Sequence, residues 1–221
     1  MTHRTISTMI FGLLGTTVAA ENQFSFYTGL QTAPHSIVTG SDPAGVGDFD
    51  FTAGWDGKSF QAPLHYGFRA THWMNENWGV SVDFNHTKVY ADAETLGAGG
   101  TSGFERLEFT DGLNNLTVNA EYRWDKNGRN WRPFVGAGIG VAIPRVEVQT
   151  QAGAPITDEY QFGGPSMMLH GGIEYDLNDN WSVFGEYKFT YSQLDVDLTG
   201  GGSLQTDIVT NAINIGLSRS F

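Results

Sequence analysis

The stretch Asn211-Ala212-Ile213-Asn214-Ile215-Gly216-Leu217-Ser218-Arg219-Ser220-Phe221 decides how the rest of the chain is read. Ile213, Ile215 and Leu217 alternate with Asn214, Gly216 and Ser218. Successive side chains on a strand point to opposite faces, so one face here is oily and the other polar or small. If this strand closes a sheet, it must pair with the first strand, and everything between them must be hairpins. Gln23–Thr32 supplies that first strand, with Phe24, Phe26 and Leu30 opposed by Gln23, Ser25, Tyr27 and Gln31.

Six more segments alternate in the same way. Phe60–Met74 sets Leu64, Tyr66 and Phe68 against His65 and Arg69, and Trp78–Tyr90 sets Val80, Val82 and Phe84 against Ser81, Asp83 and Asn85. Leu113–Trp124 opposes Leu116, Val118 and Ala120 to Thr117, Asn119 and Glu121. Trp131–Val148 carries Gly136, Gly138 and Gly140 on its small face. Pro165–Leu177 and Trp181–Val196 follow, and Gln205–Phe221 completes eight strands. The connections alternate in length: 75–77, 125–130 and 178–180 are short, whereas 33–59, 91–112, 149–164 and 197–204 are long. A loose repeat marks the short ones. Asn75-Glu76-Asn77-Trp78, Asn127-Gly128-Arg129-Asn130-Trp131 and Asn178-Asp179-Asn180-Trp181 each place a polar turn directly before a tryptophan. Asn and Gly suit tight hairpins, and tryptophans at strand starts suit an aromatic belt at a membrane interface.

The ends and composition bound the class. Arg4 followed by the mostly apolar or small run Ile6–Val18, with Val18-Ala19-Ala20 as a small-x-small site, predicts a signal peptide over 1–20. The expected domain is then a single one over 21–221. There is no cysteine, so an exported chain must rest on its ladder or its core. No later apolar run is long enough for a membrane helix, which leaves a closed barrel as the way to span. The formal charge of −12 argues against nucleic acid, which wants a basic patch.

Periodicity does not say which face is inside. A soluble lipocalin-type barrel turns its apolar face inward, and a membrane barrel turns it to lipid. The charges favour the second arrangement. Arg69, Asp83, Glu121, Arg123, Glu174, Glu186 and Lys188 all share the polar face, and in a lumen they would pair with one another. An eight-stranded barrel is about wide enough to be filled by its own side chains, so a sealed polar plug is expected there, with a narrow pore or a buried catalytic group among these charges as the alternatives.

Chemistry would sit at the outer rim, because loops on a rigid scaffold carry function. His65 is read as inward near the top of its strand, and His35 opens the first long loop. His86, Lys88 and Arg145 are read as outward near the outer leaflet, where they would meet lipid phosphates. Glu105, Glu108 and Asp111 have a spacing that could supply oxygen ligands to a divalent metal, although no EF-hand pattern accompanies them. His35-Ser36 invites a serine-hydrolase reading but is poorly placed as a dyad, since adjacent strand residues point apart and no G-x-S-x-G follows.

The plan resembles the eight-stranded OmpA/OmpX/OmpW-like outer-membrane barrels. Narrower stretches resemble the outer-membrane lipid A oxidase family. They are Thr32–Ser36, Phe49–Phe60, Phe84–Asp92, Phe104–Asn114 and Gly200–Ala212. That resemblance implies an oxygen-dependent oxidation of the proximal glucosamine of lipid A, in the outer membrane of a bacterium. The sequence lacks a flavin fingerprint. A divalent metal would then be needed, held by His35, His65 or His86 in a two-histidine, one-carboxylate site, with Glu105, Glu108 or Asp111 as the acid. The resemblance further implies a monomer inserted by the barrel-assembly machinery, with lipopolysaccharide as its partner. The competing class is a non-enzymatic surface barrel for adhesion or envelope integrity. It needs no convergent site, so the placement of the three histidines discriminates between the two.

Overall fold

A computed structural model describes residues 20–96 and 102–221. The expected signal peptide lies outside the described residues, apart from Ala20. The elements are β1 (Glu21–Thr32), β2 (Ser36–Asp42), β3 (Gly47–Ala53), β4 (Trp55–Asp56), β5 (Tyr66–Trp73) and β6 (Trp78–Ala91). They continue with β7 (Arg106–Arg123), β8 (Trp131–Gln149), β9 (Thr157–Tyr160), β10 (Gly164–Asp176), β11 (Trp181–Leu198) and β12 (Gly202–Ser220). All the pairings are antiparallel.

The ladder runs β1-β5-β6-β7-β8-β10-β11-β12 and returns to β1. The closing seam pairs Gln23 with Ser220 at one end and Thr32 with Asn211 at the other. No edge remains in that ring, which removes the aggregation hazard of an open sheet.

Twelve strands, not eight, make up the sheet. The four not foreseen arise inside stretches read as loops. β2 prolongs the line of β1 past an interruption at 33–35, meeting β12 again where Val38 pairs with Thr206. β9 similarly continues the edge of β10 along β8, with Arg145 opposite Tyr160. The segment 60–65, read as strand, is instead an irregular detour between β4 and β5. Pro63 has no N–H to give a ladder, which fits its position outside the strand. β7 begins at Arg106 rather than Leu113, because a bulge between Glu108 and Leu113 interrupts the alternation. The last of the expected long loops shrinks to residues 199–201, a turn in which Gly200 and Gly201 take φ of 108° and 93°.

The faces divide the barrel into two storeys. In the lower one, oily residues point outward: Phe26, Val82, Val118, Ile139, Leu169 and Ile215 are all exposed. Trp78, Trp124, Trp131 and Trp181 ring its base, also exposed. In the upper storey the same strand faces exchange character. Along the inward face of β11, Glu186, Lys188, Thr190 and Ser192 give way to Leu194, Val196 and Leu198, all buried. These join Val38, Ala53, Trp55, Phe104, Leu107, Phe109, Leu113, Val146, Val148, Leu204 and Ile208 in one apolar cluster. Phe104 packs edge-on against Phe49 and Phe51, each at 5.1 Å. The lower storey is arranged as a membrane barrel and the upper as a soluble one.

Candidate functional site

The lower lumen is filled by one connected set of ion pairs. Arg69 on β5 reaches Asp83 on β6 at 2.9 Å and Glu186 on β11 at 2.7 Å. Lys188 reaches Asp83 at 2.8 Å and Glu186 at 3.5 Å. Tyr27 donates to Asp83 at 2.7 Å and accepts from Lys188. Glu121 takes Ser81 at 2.6 Å and faces His170 at 2.9 Å. Asn214 joins by donating to Glu186 at 3.1 Å. Every charged member is buried, where a charge left without its partner costs several kcal/mol.

Arg123 and Glu174, expected in the same network, sit lower in separate groups. Arg123 pairs with Glu21 at 2.6 Å and lies 4.0 Å from the Trp73 ring centroid. Glu174 accepts from Gln23, Ser182 and Arg132 at 2.6, 2.5 and 2.9 Å. Sequence reasoning missed Tyr27, His170 and Asn214 as network members. Their polar-face parity was visible, but uncharged groups do not announce a need for partners.

The histidines do not gather. His65 is fully buried, its Nδ1 3.1 Å from the His86 carbonyl and its Nε2 2.9 Å from Asn214 Oδ1. The His86 side chain shares the outward parity of Val82 and Phe84, stacks on Tyr66 with centroids 4.8 Å apart, and meets Asn114 at 2.8 Å. The two rings thus project to opposite sides of the wall. His35 stands apart, lining a surface cavity of about 440 Å³ with Ser36, Ile37, Gln205 and Asp207. Glu105 is exposed, and the ion pairs of Glu108 and Asp111 are with arginines at 3.6 and 3.5 Å. Among the described residues no three His, Asp or Glu side chains converge as a metal would require. The expected site of His35, His65 and His86 is therefore not assembled, because both His65 nitrogens already face partners and His86 turns away. These residues do not fit the divalent metal that the lipid A oxidase resemblance implies.

The outer rim also departs from expectation. Arg145 does face outward, but Asp158, Asp111 and Glu147 surround its guanidinium at 2.8, 3.5 and 3.5 Å. It is committed to carboxylates rather than free for a phosphate. Lys88 is buried, its ammonium donating to the carbonyls of Lys58 at 3.1 Å and Gln61 at 2.5 Å. Above the β7 bulge, partial burial and the facing Glu147 hold the Glu108 carboxyl above its usual range. Its folded form thus binds a proton more readily than the unfolded chain, and the penalty is complete at neutral pH. Glu108→Gln is expected to stabilise the upper storey slightly at pH 7. The gain should fade as pH falls through the raised value. Urea titrations at pH 7 and pH 4 check this.

The sequence profile described as outer membrane protein beta-barrel domain matches residues 7–221. The chain belongs to this outer-membrane β-barrel family. It is accordingly a transmembrane barrel of the bacterial outer membrane, with the oily lower storey in the bilayer. No curated protein matches it. Among solved structures, AlkL, determined by solid-state NMR in DMPC bilayers, is similar at 14% identity and a TM-score of 0.51, covering 100% of this chain and 97% of that one. Neisserial surface protein A (NspA) is similar at 13% identity and a TM-score of 0.50, covering 92% of this chain and 99% of that one. Identities this low speak to the outer-membrane barrel fold alone.

Proposed function

We propose that this outer-membrane barrel is a closed, non-enzymatic surface protein serving envelope integrity or adhesion. One observation carries the reading: the lumen is blocked twice, by the Arg69–Asp83–Lys188–Glu186 set below and by the Phe49–Phe51–Phe104 cluster above. The scattered histidines support it further, since a lipid A oxidase needs a convergent site. On this reading the ring from β1 to β12 crosses the bilayer as eight strands, and β2, β3, β4 and β9 extend it outward as a rigid platform. A cleaved leader over 1–20, insertion by the barrel-assembly machinery and a monomeric state belong to the same proposal.

The test uses the full mature chain refolded into liposomes. Small sugars and ions should not leave the vesicles faster than from empty ones, and conductance steps should be absent. Lipid A added to the same preparation should keep its mass with and without oxygen. Conductance steps would sink the closed reading. An oxygen-dependent change in lipid A mass would overturn the non-enzymatic one.

A further inference from the structure

The detour over residues 57–65 leaves the wall between β1 and β6, and its placement is unusual. Trp78 opens β6 in the basal aromatic ring, and Lys88 stands ten residues further up with the same outward parity. A rise of about 3.3 Å per residue and a tilt near 40° put Lys88 roughly 25 Å above that ring, the height of the apolar band of such barrels. The detour therefore lies at the outer edge of the bilayer. It turns two large apolar side chains away from the protein, Phe60 at 83% exposure and Leu64 at 53%.

Neither lysine there forms a direct ion pair, although Glu108 lies within Coulombic range of Lys58 and Asp111 within that of Lys88. The lysine ion pairs among the described residues involve Lys126 and Lys188 only. Lys58 is exposed, with its ammonium 4.3 Å from the centroid of the Tyr90 ring. Lys88, beneath it, pins the detour by donating to the Lys58 and Gln61 carbonyls. From the other side, the Gln31 amide donates to the carbonyls of Gly57 and Lys88, and the Gln31 backbone N–H donates to Ser59 Oγ at 2.9 Å. Elsewhere on the upper rim, Arg106 and Arg145 are tied to carboxylates. On an acidic rim, Lys58 is thus the exposed cation without a direct carboxylate contact, and it stands over an apolar foot.

We propose that residues 57–64 are a lipid-docking strap that takes a phosphate-bearing headgroup of the outer leaflet. Phe60 and Leu64 enter the acyl region, and the Lys58 ammonium meets the phosphate. Lys88 is a positioning residue, holding the strap at that height without touching the lipid. A phosphate is the anion that fits, because an ammonium reaches it as a point charge and the oily side chains place it at headgroup depth.

The chain has no cysteine, so Phe60→Cys accepts a single fluorescent label. In phosphatidylcholine nanodiscs the label should be quenched by lipids brominated on their tails and shielded from iodide. Lys88→Met in the labelled protein should weaken the tail quenching at least about two-fold. Retention of phosphatidic acid doped into the discs, counted by native mass spectrometry, should fall about five-fold or more in Lys58→Glu and in Lys58→Gln. Lys58→Arg should keep it, and phosphatidylcholine retention should not move. Inorganic phosphate at millimolar concentration should not displace the lipid. Iodide-accessible label, retention indifferent to Lys58, or tail quenching unchanged by Lys88→Met overturns the strap. Lys58-dependent binding of inorganic phosphate to lipid-free protein in detergent overturns the lipid as its ligand. None of these outcomes depends on whether the lumen conducts or lipid A is oxidised.

Discussion

Replacing Asp83 with leucine should destabilise the folded barrel by about 3–5 kcal/mol, the usual effect of removing one partner from a buried ion pair. Asp83 accepts from Arg69, Lys188 and Tyr27 at once, at 2.9, 2.8 and 2.7 Å. Without it, two buried cations are left with Glu186, helped only by Glu121 at 4.0 Å from Arg69, and the Tyr27 hydroxyl loses its acceptor. The cost comes from these orphaned groups and not from a lost contact energy. Removing charge from both sides should therefore recover much of it. Asp83→Leu combined with Lys188→Met leaves Arg69 with Glu186, and should sit well above the single variant in stability. Urea unfolding in vesicles, followed by tryptophan emission, measures both. If the single substitution shifts the curve by less than about 1 kcal/mol, the lumen network is not the ionic core described.

How much of this was legible without coordinates follows from what alternation can encode. The period of two on Ile213, Ile215 and Leu217 is a local property that marks the strand. Its pairing with β1 was expected only on the condition of a closed sheet, which the seam from Gln23–Ser220 to Thr32–Asn211 meets. The face that holds Arg69, Asp83 and Lys188 was equally readable, because an ionised group in a wall must find a counter-charge. The reversal of faces in the upper storey was written in Leu194, Val196 and Leu198, but their parity matches that of Glu186 and Lys188. A reading that assigns one character to each face for a whole strand misses the point where the bilayer ends.

The expected metal site failed for a related reason. Alternation already reads His65 as inward and His86 as outward, and the structure keeps the two rings on opposite sides of the wall, each against its own amide partner, Asn214 and Asn114. The importance of Lys58 was hidden too. It lay in a stretch read as an ordinary loop, and only the hydrogen bonds of Lys88 and Gln31 tie that stretch to the wall. The β7 bulge concealed seven residues of strand, since Thr110, Asp111 and Gly112 break the alternation on which the assignment rested.

Phe104→Ala should cost about 3–5 kcal/mol, typical for emptying a buried aromatic site, but the loss should be confined to the upper storey. Phe104 is 0% exposed, and its partners Phe49 and Phe51 both come from β3, which pairs with β2 and not with the lower ring. Proteases added outside should then cut within residues 33–65 while the ring from β1 to β12 stays folded, as judged by its heat-dependent mobility on gels. Ile37→Ala, on an exposed side chain of β2 in the same connection, should leave that protection nearly unchanged. Global unfolding in Phe104→Ala would mean that the storeys are one cooperative unit. If they are separate, the effects of Phe104→Ala and Asp83→Leu should add, because the aromatic cluster and the ionic set share no partner. Each substitution opens only one of two seals in series. Solute flux through the lumen should appear in the double variant and in neither single one.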